Sequence, residues 1–170
     1  MWPSPPVPSA PLVLRGRVIA AAHPAVMGII NRTPDSFYAP ARHSVESGLA
    51  ILDQMIADGA ALIDVGGVRA GQEGGPVSVA EEIERVRPFL LAARERHPDV
   101  LLSLDTWRSE VSLACADARI DLVNDTWAGA DPELVHVAAE LEAGYVVSHS
   151  GGLPPRTDPV AISYGDHPDD

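Results

Sequence analysis

VLLSLDTWRSEVSLACADARIDLVNDTW, residues 100–127, contains one complete unit of the fold. An apolar run, VLLSL (100–104), leads into a stretch of helical period that begins near residue 108 and passes through Val111, Cys115 and Ala118. A second run, DLV (121–123), follows. Short, mostly uninterrupted runs of Val, Leu and Ile mark strands covered on both faces. Strand, helix and strand in this order predict a parallel pair joined by a crossover helix.

The same alternation continues in both directions. Towards the amino terminus lie the runs VMGII (26–30) and ALIDV (61–65), and towards the carboxyl terminus YVVS (145–148). Between them, Val45, Leu49, Leu52 and Ile56 make one stripe in 44–58, closed by Gly59. In 78–96 the stripe is Val79, Ile83, Val86 and Leu90, and Ser78 with Glu81 forms a capping box at its start. A fourth helix is predicted from Asp131-Pro132 through Leu134, Ala138 and Leu141 to Gly144. Five strands alternating with four helices predict an α/β fold with a parallel sheet, either open and doubly wound or of (β/α) barrel type. A complete eight-stranded barrel takes ~250 residues, and this chain of 170 has material for about five units.

Composition narrows the function classes. At 46% hydrophobic the chain can build a core. Twelve Lys and Arg against 24 Asp and Glu leave a net charge of −12. That field repels phosphate backbones and anionic lipid, so no nucleic-acid and no membrane partner is expected. The most apolar stretch, VIAAAHPAVMGII, is interrupted by His23 and Pro24 and is too short for a membrane span. One cysteine, Cys115, falls mid-helix as a core residue and suits a reducing, cytoplasmic setting. MWPSPPVPSAP, with five prolines, has no secretory-signal pattern and reads as part of a flexible arm over 1–20. Residues 21–165 form the domain, and 166–170 an acidic tail.

In parallel α/β folds the working face lies at the carboxyl ends of the strands. Those ends carry Asn31, Asp64, Asp105, Asn124 with Asp125, and His149. Helix capping explains such residues singly, but five such strand ends at one pole point to a shared pocket. The dinucleotide-binding glycine pattern is absent, which argues against a nicotinamide enzyme. His23, His97 and His167 adjoin prolines and His43 precedes a helix, so all four read as solvated surface. His136 reads as an exposed helical position. No histidine pair has zinc-ligand spacing beside a carboxylate. Trp107 and Trp127 each follow Asp-Thr just past a strand, where they either wall a flat ligand or pack at the rim.

The motifs around these positions resemble one family, dihydropteroate synthase. GIINRTPDSF (28–37), GAALIDVGG (59–67), SLDTWRSEV (103–111) and LVNDTW (122–127) follow in the family's order, with a histidine in SHSGG after the fifth run. The resemblance covers about residues 26–165 and implies a TIM-type (β/α) barrel, here incomplete. Family members join 6-hydroxymethyl-7,8-dihydropterin pyrophosphate to p-aminobenzoate and release pyrophosphate. Carried onto matching positions, it implies that Asp105 and Asn124 read the pterin edge, with Asp64 of the second motif on the same substrate-binding side. Asn31 is implied as the Mg²⁺-contacting amide, and Thr33, Pro34 and Asp35 as part of a covering loop. Asp35 would then stabilise the cation-like intermediate, with Thr33 beside it.

Departures from the family pattern shape the expectation of activity. After Gly66-Gly67 the family continues E-S-T-R-P-G, whereas this chain reads VRAGQEGG, leaving Arg69 as a register-shifted substitute for the motif's arginine. Arg32 adds a cation near the expected phosphate path. The family's later strands supply another Asp, a Lys, an Arg and a His that have no counterpart here. At ~1.5–3 kcal/mol for each hydrogen bond to a charged group, losing the Lys and Arg removes roughly two to four decades of affinity. Three expectations follow: the amino-terminal part of such an enzyme, a catalytically inactive pterin-binding paralogue, or a half-barrel that closes by pairing with a second copy as a homodimer.

Overall fold

In the computed structural model, which describes residues 12–19, 24–33, 45–69, 75–127 and 129–148, the apolar runs become one parallel sheet. A short hairpin, β1 (Leu12–Leu14) and β2 (Arg17–Ile19), precedes it. The repeating units are then β3 (Met27–Asn31), α1 (Val45–Ala57), β4 (Leu62–Gly66), α2 (Val79–Arg96) and β5 (Leu101–Asp105). They continue as α3 (Ser109–Ala114), β6 (Leu122–Asp125), α4 (Glu133–Glu140) and β7 (Gly144–Val147). Strand order is sequential, β3-β4-β5-β6-β7, and every neighbouring pair is parallel.

Sequential order decides between the two architectures. A doubly wound sheet reverses its order and puts helices on both faces. Here one face of every central strand, with Ile30, Ile63, Val65, Leu102, Leu104 and Val123, packs with Leu49, Leu52, Val86, Phe89, Leu90, Val111, Leu134 and Ala138 from all four helices in one core. The other face is the inner wall of a partial (β/α) barrel, open between β3 and β7 among the described residues. Cys115 lies in the helix-side core, as expected, and burial pushes its thiol up to about 12.

The hairpin is the main difference from the sequence reading, which placed 1–20 in a flexible arm. Arg15 and Gly16 both take positive φ, 46° and 74°, the two-residue turn that matches strand twist. The alternation was too short, three residues a side, to register against the prolines before it. Leu14 packs with Leu62, Leu101 and Leu122 on the inner face, closing its amino-terminal end. The Arg15 guanidinium donates to the carbonyls of Ile120 and Leu141 at 3.0 and 2.9 Å and faces Asp121 at 3.3 Å. Residues 1–11 and the acidic tail over 166–170 lie outside the described residues.

Smaller shifts have local causes. The first four strands of the sheet each begin one residue later than their apolar runs, so Asn31, Asp105, Asn124 and Asp125 belong to strands. The fourth helix stops at Glu140 because Glu142 turns left-handed (φ 53°), and Gly144 opens β7 instead of capping a helix. Ser78 caps α2 as predicted, its Oγ accepting from the Glu81 amide at 3.2 Å. No helix among the described residues is long and apolar enough to cross a membrane.

Candidate functional site

Strand register assembles the site. Asn31, Gly66, Asp105 and Asn124 are successive cross-strand partners on β3, β4, β5 and β6, so their side-chain positions form one row on the inner face at the carboxyl pole. The row beneath pairs Asp64 with Ser103. Asp64 is buried at 4% exposure, and its Oδ1 accepts from Ser103 Oγ at 2.5 Å. Its Oδ2 accepts from Asn124 Nδ2 at 3.1 Å. Burial pushes the Asp64 carboxyl above the usual carboxylate range, and the bonds from Ser103 and Asn124 pull it back. Asn124 is thereby oriented: one N–H is committed to Asp64, and its amide oxygen remains to accept.

Asp105 is the most perturbed group in the row. Its carboxyl is pushed up to about 7, first by burial, then by the Asp64 charge, with smaller contributions from Glu82 and Asp125. Thr126 Oγ1 donates to Asp105 Oδ1 at 3.1 Å and opposes the shift. Such a group presents an acceptor or a donor near neutral pH, as recognition of a heterocycle edge requires.

Gly66 explains the first glycine of the G-G pair. A Cβ there would lie 3.1 Å from Asp105 Oδ2 and 3.6 Å from Asn31 Oδ1. The bare Cα keeps an oxygen-lined gap between the two side chains. Hard oxygen donors suit Mg²⁺, and one amide oxygen plus water and ligand phosphates is an ordinary Mg²⁺ set. The residues present fit that ion. Among the described residues, no group of three or more His, Cys, Asp or Glu is placed to hold a metal by protein ligands alone.

The other sequence-predicted positions divide. Thr33 is buried at 6% exposure just past β3. Arg69 is exposed, three residues beyond β4, outside the Asp64–Asn124 hydrogen-bonded group. Asp35 and His149 lie outside the described residues, as do His23, His43 and His167. Arg32 corrects the expectation of a cation on the phosphate path: its guanidinium lies 5.3 Å over the Phe89 ring and against Gly48, turned towards α1 and α2. His97 is also not freely solvated, since its Nε2 sits 2.6 Å from Asp53 Oδ1. Trp107 and Trp127 meet edge to face with centroids 6.2 Å apart.

Sequence reasoning missed Ser103, Thr106, Thr126 and Glu82. The first three look like ordinary strand and turn residues until register pairs them with carboxylates. Glu82 did carry a signal, as an acid aligned with Val86, Phe89 and Ala93 on the buried stripe of α2.

Comparison with known proteins points to one family. The family model described as pterin binding enzyme matches residues 27–169. A Mycobacterium leprae protein named inactive dihydropteroate synthase 2 is 50% identical over 154 residues, covering 90% of this chain and 53% of its own. A Yersinia pestis dihydropteroate synthase in complex with a sulfonamide drug superposes with a TM-score of 0.80 at 33% identity, covering 93% of this chain and 57% of that one. A Xanthomonas albilineans dihydropteroate synthase with 4-aminobenzoic acid gives 0.71 at 34% identity, with 81% and 50% covered. The chain thus spans about half the length of the curated relatives it matches. With the motifs in order and the carboxylate–amide row at the carboxyl ends of the strands, the chain belongs to the pterin-binding enzyme family and is dihydropteroate-synthase-like.

Proposed function

We propose that this chain supplies the pterin-reading half of a dihydropteroate-synthase site. The carrying observation is the Asp64–Asn124–Asp105 arrangement: a buried carboxylate orients an amide beside a second carboxylate that titrates near neutrality. The Asp105 carboxylate accepts pterin N–H groups, and Asn124 both donates and accepts along the same edge. The reaction is a substitution. The methylene C–O bond of 6-hydroxymethyl-7,8-dihydropterin pyrophosphate breaks, a C–N bond to the p-aminobenzoate amine forms, and that amine gives up a proton. Asn31 would hold Mg²⁺, whose charge neutralises the departing pyrophosphate. The motif match assigns Asp35, with Thr33 beside it, the role of stabilising positive charge on the reacting carbon, and Arg69 a contact with the aminobenzoate. The setting is cytoplasmic folate biosynthesis, with a homodimer as the expected assembly.

Pterins fluoresce, so binding is tested by titrating the ligand with this protein and with Asp105→Ala and Asn124→Ala. Loss of at least tenfold in affinity for both variants supports the reading. Equal binding by all three proteins overturns it.

A second reading is binding without turnover. It is favoured by the similarity to a relative named inactive and by the second loop, VRAGQEGG where the family has E-S-T-R-P-G. Replacing that loop with the family sequence leaves turnover absent if this reading holds. Measurable dihydropteroate formation after the exchange contradicts it.

A further inference from the structure

Glu82 has no part in the chemistry above, yet its side chain is wholly buried on α2, one layer behind the strands. A carboxylate on an apolar stripe does little for stability, since a buried ion pair seldom outperforms apolar packing of the same volume. Its partners nevertheless all lie at the working pole. Glu82 Oε1 accepts from Thr106 Oγ1 at 2.6 Å, and Oε2 from Arg108 Nη1 at 2.6 Å. Thr106 directly follows Asp105, and its amide donates to the Asn124 carbonyl at 3.2 Å. Arg108 Nη2 donates to the Val77 carbonyl at 2.9 Å, tying the end of the second loop to the third. Gly67, where the chain leaves β4, also packs on Glu82, because a Cβ there would come within 3.2 Å of Glu82 Cγ.

The network continues to the rim. The Arg108 guanidinium stacks 4.4 Å from the Trp107 ring centre, and Trp107 meets Trp127 edge to face. Next to Trp127, Thr126 donates to Asp105. One buried carboxylate therefore fixes the residue after Asp105, the guanidinium behind the aromatic corner, and the exit of the second loop.

We propose that Glu82 is the positioning residue of this site, holding Asp105 and the Trp107–Trp127 corner in place through Thr106 and Arg108. This rests on the pterin reading only for what Asp105 binds. Placement of Asp105 and the corner is a property of the free protein.

The test compares Glu82→Gln, Thr106→Val and Thr106→Ser with the parent chain. The indole N–H resonances of Trp107 and Trp127 report the corner, and titration with 6-hydroxymethyl-7,8-dihydropterin pyrophosphate reports the site. Glu82→Gln and Thr106→Val are expected to displace both indole signals and weaken binding about tenfold. Thr106→Ser, which keeps the hydroxyl, is expected to retain the parent signals and stay within about twofold of its affinity. Should Glu82→Gln not fold, the Thr106 pair decides. A lowered melting temperature with unmoved indole signals and affinity overturns the proposal and leaves Glu82 a structural residue. If the parent binds no pterin, the ligand reading fails, and the indole signals alone still support or overturn the positioning role.

Discussion

Asp105 has the clearest consequence for solution behaviour. Its carboxyl is held near 7 in the folded chain, against about 3.9 for a free Asp side chain. Between those values the native state keeps a proton that the unfolded state has released, so stability falls as pH rises. The slope is about 1.4 kcal/mol per pH unit at most, and it vanishes below pH ~4 and above the folded value. Melting temperatures from pH 5 to 8 should decline for the parent and decline less for Asp105→Asn, which has no proton to lose. Equal slopes in the two proteins contradict the assignment. Asp64→Asn removes the second contributor to the shift and should move the decline to lower pH. Asp64, Asp105 and Asn124 were legible in the sequence because strand-end polar residues of parallel folds converge at one pole. Their partners Ser103 and Thr126 were not, because contacts across 39 and 21 positions exist only once register is set.

Among the elements, the strands and helices follow from apolar period, and what period does not encode is the hairpin. Its reach is measured by Gly144, where a Cβ would lie 2.5 Å from Leu14 Cδ2 and 3.0 Å from Leu122 Cδ1. Gly144→Ala should force Leu14 off its seat and cost about 1–3 kcal/mol, as overpacking does. A chemical-denaturation midpoint unchanged from the parent would show that the hairpin does not close this end. Glu82 shows the limit of stripe counting. Val79 and Ile83 are only half-buried, while the acid between them is fully buried, because the helix faces the loops of its neighbours there as well as the sheet.

At the scale of the whole molecule, the sheet has two open edges among the described residues, β3 and β7. Ile29 on β3 is 56% exposed and Val147 on β7 is 80% exposed, both large apolar side chains on strands that pair on one side only among the described residues. Exposed parallel edges of this sort associate unless covered. The isolated chain should form dimers or larger species at micromolar concentration, despite a net charge of −12. Light scattering that returns a clean monomer contradicts this. The most direct test of the central claim is a calorimetric titration of the folded chain with 6-hydroxymethyl-7,8-dihydropterin pyrophosphate, with and without Mg²⁺. Binding that depends on Mg²⁺ and is lost in Asp105→Asn is the predicted result. A folded sample that takes up no ligand under either condition would contradict the assignment of Asn31, Asp105 and Asn124 as a working half-site.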